Sequence, residues 1–210
     1  MSAALRESVS VVSPRVYAQI LTSPIGAQLL PEGLFGSPYE VLDYRSALVL
    51  HDHKGRTATF TRTQRIRFLQ DGVSAILDHC WGAGLLLAEY RHSGGSIGET
   101  FKDEGRRHLV IRLKRAMRRG EELRFTVERT VLVGFTEERE QLETTIDHPV
   151  QRIALEVVFP RERPGRSAVL ELGDESLPMP VLRSRWGRTL LHVQILGAQA
   201  HTPYVIRWTW

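Results

Sequence analysis

From Tyr39 onward, apolar residues recur at every second position in short runs separated by turn residues, the period of half-buried β-strands. "YEVLDYRSALVLHD" predicts a long first strand, and "HKGR", with Gly55, a turn. "TATFTRTQRIRF" returns with Phe60, Ile66 and Phe68 at even positions, so the two runs predict a hairpin. "QDGV" is a second Asp-Gly turn before the strand "SAILDHCW". A helical alternative would place Ile66, Leu69, Val73, Ile76, Leu77 and Cys80 on one face. Asp71-Gly72 would lie in its middle, and glycine alone costs a helix about 1 kcal/mol. Two strands are therefore the preferred reading.

"GLLLAEYRH" predicts the next strand and "SGGSIGETFKDEG" a flexible glycine-rich hairpin loop. "LRFTVERTVLV", "VQRIALEVVF", "SAVLEL", "RTLLHVQIL" and "YVIRWTW" follow as strands, with turn signals at the spacing of a sandwich and no βαβ alternation. The last run puts Tyr204, Ile206, Trp208 and Trp210 on one side, which predicts a core strand at the C-terminus. The expected fold is mostly β: an antiparallel β-sandwich over residues 38–210. Residues 1–37 form a separate, short helical or irregular segment. There Val16, Ile20 and Leu21 allow one short helix before Pro24, Gly26, Pro31, Gly33, Gly36 and Pro38 break the pattern.

Charge changes this picture at one place. The chain carries +4 overall, with 25 arginines and only Lys54, Lys102 and Lys114 as lysines, a bias expected of a GC-rich genome. Residues 106–124, however, hold eight Lys/Arg against Glu121 and Glu122, while the remainder is close to neutral. Codon bias would spread arginine evenly. Within "RRHLVIRLKRAMRRGEELRF", Leu109, Ile111 and Leu113 predict a strand, "AMRRGEE" a loop and "LRFTV" an antiparallel return. A helix through Leu109, Leu113, Ala116 and Met117, capped by Gly120, is the less favoured alternative. As a hairpin, Leu113 would face Leu123, and Arg112 or Lys114 would oppose Arg124, a like-charge pair. The candidate contact surface is Arg112, Lys114, Arg115, Arg118, Arg119 and Arg124.

Other candidate chemistry is sparser. His51 and His53 share one strand face if the first strand extends that far, and Asp78, His79 and Cys80 offer further metal donors. Adjacent His79 and Cys80 point to opposite faces and cannot form a thiolate pair. Gly94, Gly95 and Gly98 lack the helix start and Gly-Lys-Ser/Thr ending of a phosphate loop. Neither a Gly-x-Ser-x-Gly elbow nor a His-Glu-x-x-His run occurs. "FTEEREQLE" (Phe135–Glu143) predicts a short exposed helix or an acidic loop.

A single cysteine precludes an internal disulfide and fits a reducing compartment. With no secretory pattern and no run of 18 apolar residues, the expectation is a cytoplasmic protein without a membrane span. The functional expectation is a non-enzymatic recognition or accessory module without cofactor, meeting an acidic protein partner through the basic hairpin. A nucleic-acid-binding protein using the same side chains on phosphates is the alternative. A small metal-dependent enzyme around His51, His53, His79 and Cys80 is a further one.

Overall fold

The computed structural model describes residues 4–9 and 38–210, except 81, 83, 104–105, 147–149 and 200–201; for residues 4–9, 79, 101–103, 106 and 145–146 it describes the backbone alone. Among these residues every regular element is a strand. The helix expected around Val16–Leu21 lies outside the described residues. Ala4–Val9 is itself a strand, β1, which the sequence pattern did not announce.

β2 (Tyr39–Leu50) and β3 (Thr57–Phe68) form the expected hairpin, pairing from Tyr39 with Phe68 to Leu50 with Ala58. Its turn is fixed by the Asp52 carboxylate, which accepts the backbone N–H groups of Lys54, Arg56 and Thr57. Gly55 adopts φ +65°, and a Cβ there would lie 1.4 Å from the carbonyl oxygen of Phe135, so only glycine fits under that loop.

β4 (Val73–Cys80) and β5 (Leu85–His92) follow, then β6 (Ser96–Asp103), β7 (Arg106–Met117) and β8 (Glu122–Leu132). β9 (Arg139–Ile146), β10 (Val150–Val158), β11 (Ser167–Leu172) and β12 (Glu175–Met179) come next. β13 (Leu182–Arg183), β14 (Thr189–Ala198) and β15 (Thr202–Thr209) complete the chain. They build a seven-stranded sheet in the order β13-β14-β10-β2-β3-β8-β5. A five-stranded sheet runs β1-β9-β15-β11-β12, and a three-stranded one β4-β7-β6. Pairing is antiparallel except between β1 and β9 and between β2 and β10.

The three sheets share one continuous core. The five-stranded sheet contributes Leu142, Leu170, Tyr204, Ile206 and Trp208, with Trp210 just beyond β15, all on inward positions. Phe159 meets Trp208 and Trp210 with ring centroids 6.0 and 6.1 Å apart, and Phe135 stacks on Trp208 at 6.2 Å. The Trp210 indole N–H donates to the Glu137 carbonyl at 2.8 Å. The C-terminal aromatic strand is thus core, as its alternation predicts.

Three local expectations need correction. The stretch Ser96–Asp103, read as flexible loop, is strand β6, bonded to β7. Gly95 (φ +77°) is needed because its backbone crosses β7 so closely that a Cβ would sit 1.5 Å from the Arg112 carbonyl oxygen. The acidic stretch Phe135–Glu143 is neither helix nor loop alone: from Arg139 it is β9, with Glu140, Gln141 and Leu142 buried. Most consequential, β7 and β8 do not pair with each other. β7 is held between β4 and β6, and β8 between β3 and β5. Leu109, Val110 and Ile111 are buried in succession, so β7 is covered on both faces and both edges and has no edge left for β8.

Candidate functional site: an arginine-lined groove

Because β7 and β8 belong to different sheets, the residues of the basic stretch separate. Arg112 lies opposite Ala75 on one side and Ser96 on the other, so the predicted Arg112–Arg124 and Lys114–Arg124 oppositions do not exist. The connecting turn is clamped onto the end of β3. Gly120 N–H donates to the Phe68 carbonyl, Phe68 N–H to the Glu121 carbonyl, and Arg119 N–H to the Asp71 carboxylate. Glu121 takes the Arg115 guanidinium at 2.9 and 3.2 Å and the Arg118 N–H at 2.8 Å, and these bonds hold its carboxyl below the usual range. Arg115 is thereby occupied. The side chains of Arg112, Lys114, Arg118 and Arg119 are exposed, with no carboxylate within ion-pair distance among the described residues.

Arg124 goes elsewhere. Register carries one row of side chains across the open face of the seven-stranded sheet: Arg152 on β10, Asp43 on β2, Arg65 on β3 and Arg124 on β8. The next row places Ala154, Arg45 and Thr63 beside it, with Gln194 on β14. These residues line a groove of about 340 Å³. Sequence reasoning found only Arg124 of its four arginines. The other three stand on three different strands, and only the sheet order brings them together.

The groove's charges are unevenly matched. Arg152 forms a two-point ion pair with Asp43, at 2.9 and 2.5 Å, and this hydrogen bonding keeps the Asp43 carboxyl below its ordinary range. Arg65 reaches Glu122 at 3.3 Å, and the same carboxylate also serves Arg67 at 3.0 Å. Arg45 and Arg124 have no carboxylate within ion-pair distance among the described residues, although Arg45 and Arg65 both help to hold the Asp43 carboxyl down electrostatically. Arg65 and Arg124 are directly opposed across β3 and β8. Such neighbours have Cβ atoms roughly 5 Å apart, and like charges there repel. The face thus carries positive charge that its own carboxylates do not fully balance.

A second charged cluster lies inside the protein, and it includes Asp78, which the sequence suggested only as a metal donor. Arg62, at an inward position of β3, is 3% exposed and ion-paired with Asp78 of β4, which is 0% exposed. The Tyr90 hydroxyl of β5 donates to the other Asp78 oxygen at 2.8 Å. Burial, reinforced by the Asp78 carboxylate, pushes the Tyr90 hydroxyl far above its ordinary range. Arg129 of β8 is also buried, its guanidinium 4.4 Å above the Phe60 ring. This cluster stitches the three-stranded sheet to the seven-stranded one. Even spacing revealed the inward parity of Arg62 but not that a charge would occupy it.

The suggested metal donors are dispersed. His51 and His53 are exposed in the turn after β2 rather than on the strand, and His51 Nε2 lies 2.7 Å from the Thr59 hydroxyl. Cys80 is buried and in no disulfide, and the His79 side chain lies outside the described residues. Among the described residues no three His, Cys, Asp or Glu side chains gather as a metal site. Nor is any helix there long and apolar enough to cross a membrane.

No protein-family model and no curated protein matches the sequence. Among solved structures, the chain is similar to a protein assigned as a protease from Parabacteroides distasonis ATCC 8503. Identity is 10% and the TM-score 0.52, over 82% of this chain and 40% of that one. An M1 zinc metallopeptidase from Deinococcus radiodurans aligns at 12% identity and TM-score 0.46, over 86% of this chain and 44% of its own. The chain therefore spans less than half the length of these proteins, and the first likeness is one of fold.

Proposed function

We propose that this chain is a non-enzymatic recognition or accessory module that binds an acidic protein partner across its arginine-rich surfaces. The observation that carries the reading is the groove of Arg45, Arg65, Arg124 and Arg152, which encloses one carboxylate, Asp43. Exposed guanidiniums that are in no ion pair among the described residues speed encounter with an acidic surface and select against basic ones. Arg112, Lys114, Arg118 and Arg119 extend the positive potential beyond the groove, while Arg115, bound to Glu121, adds less. The single cysteine is consistent with a cytoplasmic setting.

The test measures binding of the full chain to a Glu-rich polypeptide and to single-stranded and duplex DNA, each at rising salt. The acidic polypeptide is expected to bind at low salt and to be lost in an Arg45→Glu/Arg124→Glu variant whose melting temperature is unchanged. DNA retained more tightly than the polypeptide, with a steep salt dependence, would move the reading to nucleic-acid phosphates. Polypeptide binding that ignores the charge reversal would refute the groove as the contact surface.

A further inference from the structure

We infer that the Arg45–Arg65–Arg124 corner of the groove takes a phosphate monoester carried by a side chain of the partner, an inference that rests on the acidic-partner reading above. Three features point there. First, the unmatched charge is concentrated. Asp43 is bonded to Arg152 and only within electrostatic reach of Arg45 and Arg65, and Glu122 is divided between Arg65 and Arg67, so among the described residues Arg45 and Arg124 are in no ion pair and Arg65 is half-used. Second, one carboxylate carries a single charge and matches the fork of one guanidinium. A phosphate monoester carries close to two charges and three terminal oxygens, so it can accept from two guanidiniums at once. Third, Arg65 and Arg124 are held face to face by their strands, and a doubly charged anion between them relieves their repulsion.

The surroundings fit a polypeptide as the bearer. The groove lies on an open sheet face and is lined also by the neutral Thr63, Ala154 and Gln194, and Leu196 of β14, 72% exposed, stands opposite Arg152 outside its lining. Four interstrand spacings, about 19 Å, separate β14 from β8. An extended segment covers that span in about six residues. The partner sequence that fits has a phosphorylated side chain and an apolar residue about six positions apart, in an acidic context.

The experiment titrates the full chain with two synthetic Glu-containing peptides, each bearing a leucine six positions from either phosphoserine or glutamate. Inorganic phosphate and duplex DNA are titrated alongside, and binding is read by calorimetry and amide chemical shifts. The phosphopeptide is expected to bind about tenfold more tightly than its glutamate counterpart. Arg45→Gln and Arg124→Gln should each abolish most of that difference at unchanged melting temperature, while Arg183→Gln outside the groove should not. Equal affinity for the two peptides overturns the phosphate inference and leaves the acidic-partner reading standing. Failure of both peptides to bind overturns both. Inorganic phosphate bound as tightly as the phosphopeptide overturns the partner side chain as the source, and tighter binding of duplex DNA does the same.

Discussion

Asp78→Ala should be among the most damaging single substitutions in this protein, more so than loss of any surface ion pair. Asp78 is 0% exposed and receives both the Arg62 guanidinium and the Tyr90 hydroxyl. Removing it deprives a guanidinium only 3% exposed of its carboxylate, and breaking a buried pair from one side costs about 3–5 kcal/mol. Losing the Tyr90 bond to a charged acceptor adds about 1–3 kcal/mol if that hydroxyl finds no other partner. Against the roughly 5–15 kcal/mol of a whole domain this is a large fraction. At about 2–4 °C per kcal/mol for a chain of this size, the combined loss should lower the melting temperature by about 8–30 °C. The exposed pair of Arg91 and Glu128, 3.7 Å apart with side chains 73% and 44% exposed, provides the contrast. Glu128→Ala should cost under about 1 kcal/mol. The assay is urea unfolding followed by circular dichroism and tryptophan fluorescence, comparing midpoints at constant slope. A double replacement, Arg62→Met with Asp78→Leu, removes both charges together and should recover most of the loss. Asp78→Ala within about 1 kcal/mol of wild type, or a double variant no better than the worse single one, would refute the cluster as a coupled buried pair.

Glu140 should make stability pH-dependent, since burial raises its carboxyl to about 7 while one oxygen accepts the Glu137 N–H at 2.7 Å. The folded state then holds the proton more tightly than the unfolded one, so stability is complete below pH 4.5 and falls as pH rises towards 7. The loss should reach at most about 3 kcal/mol, and Glu140→Gln should flatten this part of a melting-temperature profile. Gly55→Ala should destabilise by about 1–3 kcal/mol in the same unfolding assay, because φ +65° and the Phe135 carbonyl both exclude a Cβ. Trp208→Ala should cost about 3–5 kcal/mol, whereas Trp186→Ala, at a site 64% exposed, should change stability by under about 0.5 kcal/mol.

Strand parity was legible wherever a strand has one wet face. Phe60, Ile66 and Phe68 on β3, and Tyr204, Ile206 and Trp208 on β15, point inward as their alternation requires. Parity reports which face a residue takes, not which neighbour its strand finds. Arg106–Phe125 has the local pattern of a hairpin, yet β7 and β8 each find two other partners in separate sheets. That choice depends on long-range packing, chiefly the successive burial of Leu109, Val110 and Ile111. Local pattern is equally silent about charge on inward positions: Arg62 and Arg129 occupy core parity because Asp78 and the Phe60 ring wait there, contributed by other strands.

The same logic explains why the basic excess of the sequence and the basic groove of the fold are different objects. The first is a run along the chain, of which Glu121 neutralises Arg115 and the sheet order removes Arg124. The second is a row across the chain, with Arg152, Arg65 and Arg124 taken from strands β10, β3 and β8. Strands about 4.8 Å apart place guanidiniums at the separation needed to grip one anion, whereas same-face neighbours along a strand stand nearly 7 Å apart. A surface that recognises a single doubly charged group is therefore assembled more readily across a sheet than along a strand. Of the basic run in residues 106–124, Arg124 is the one that the sheet places in such a row.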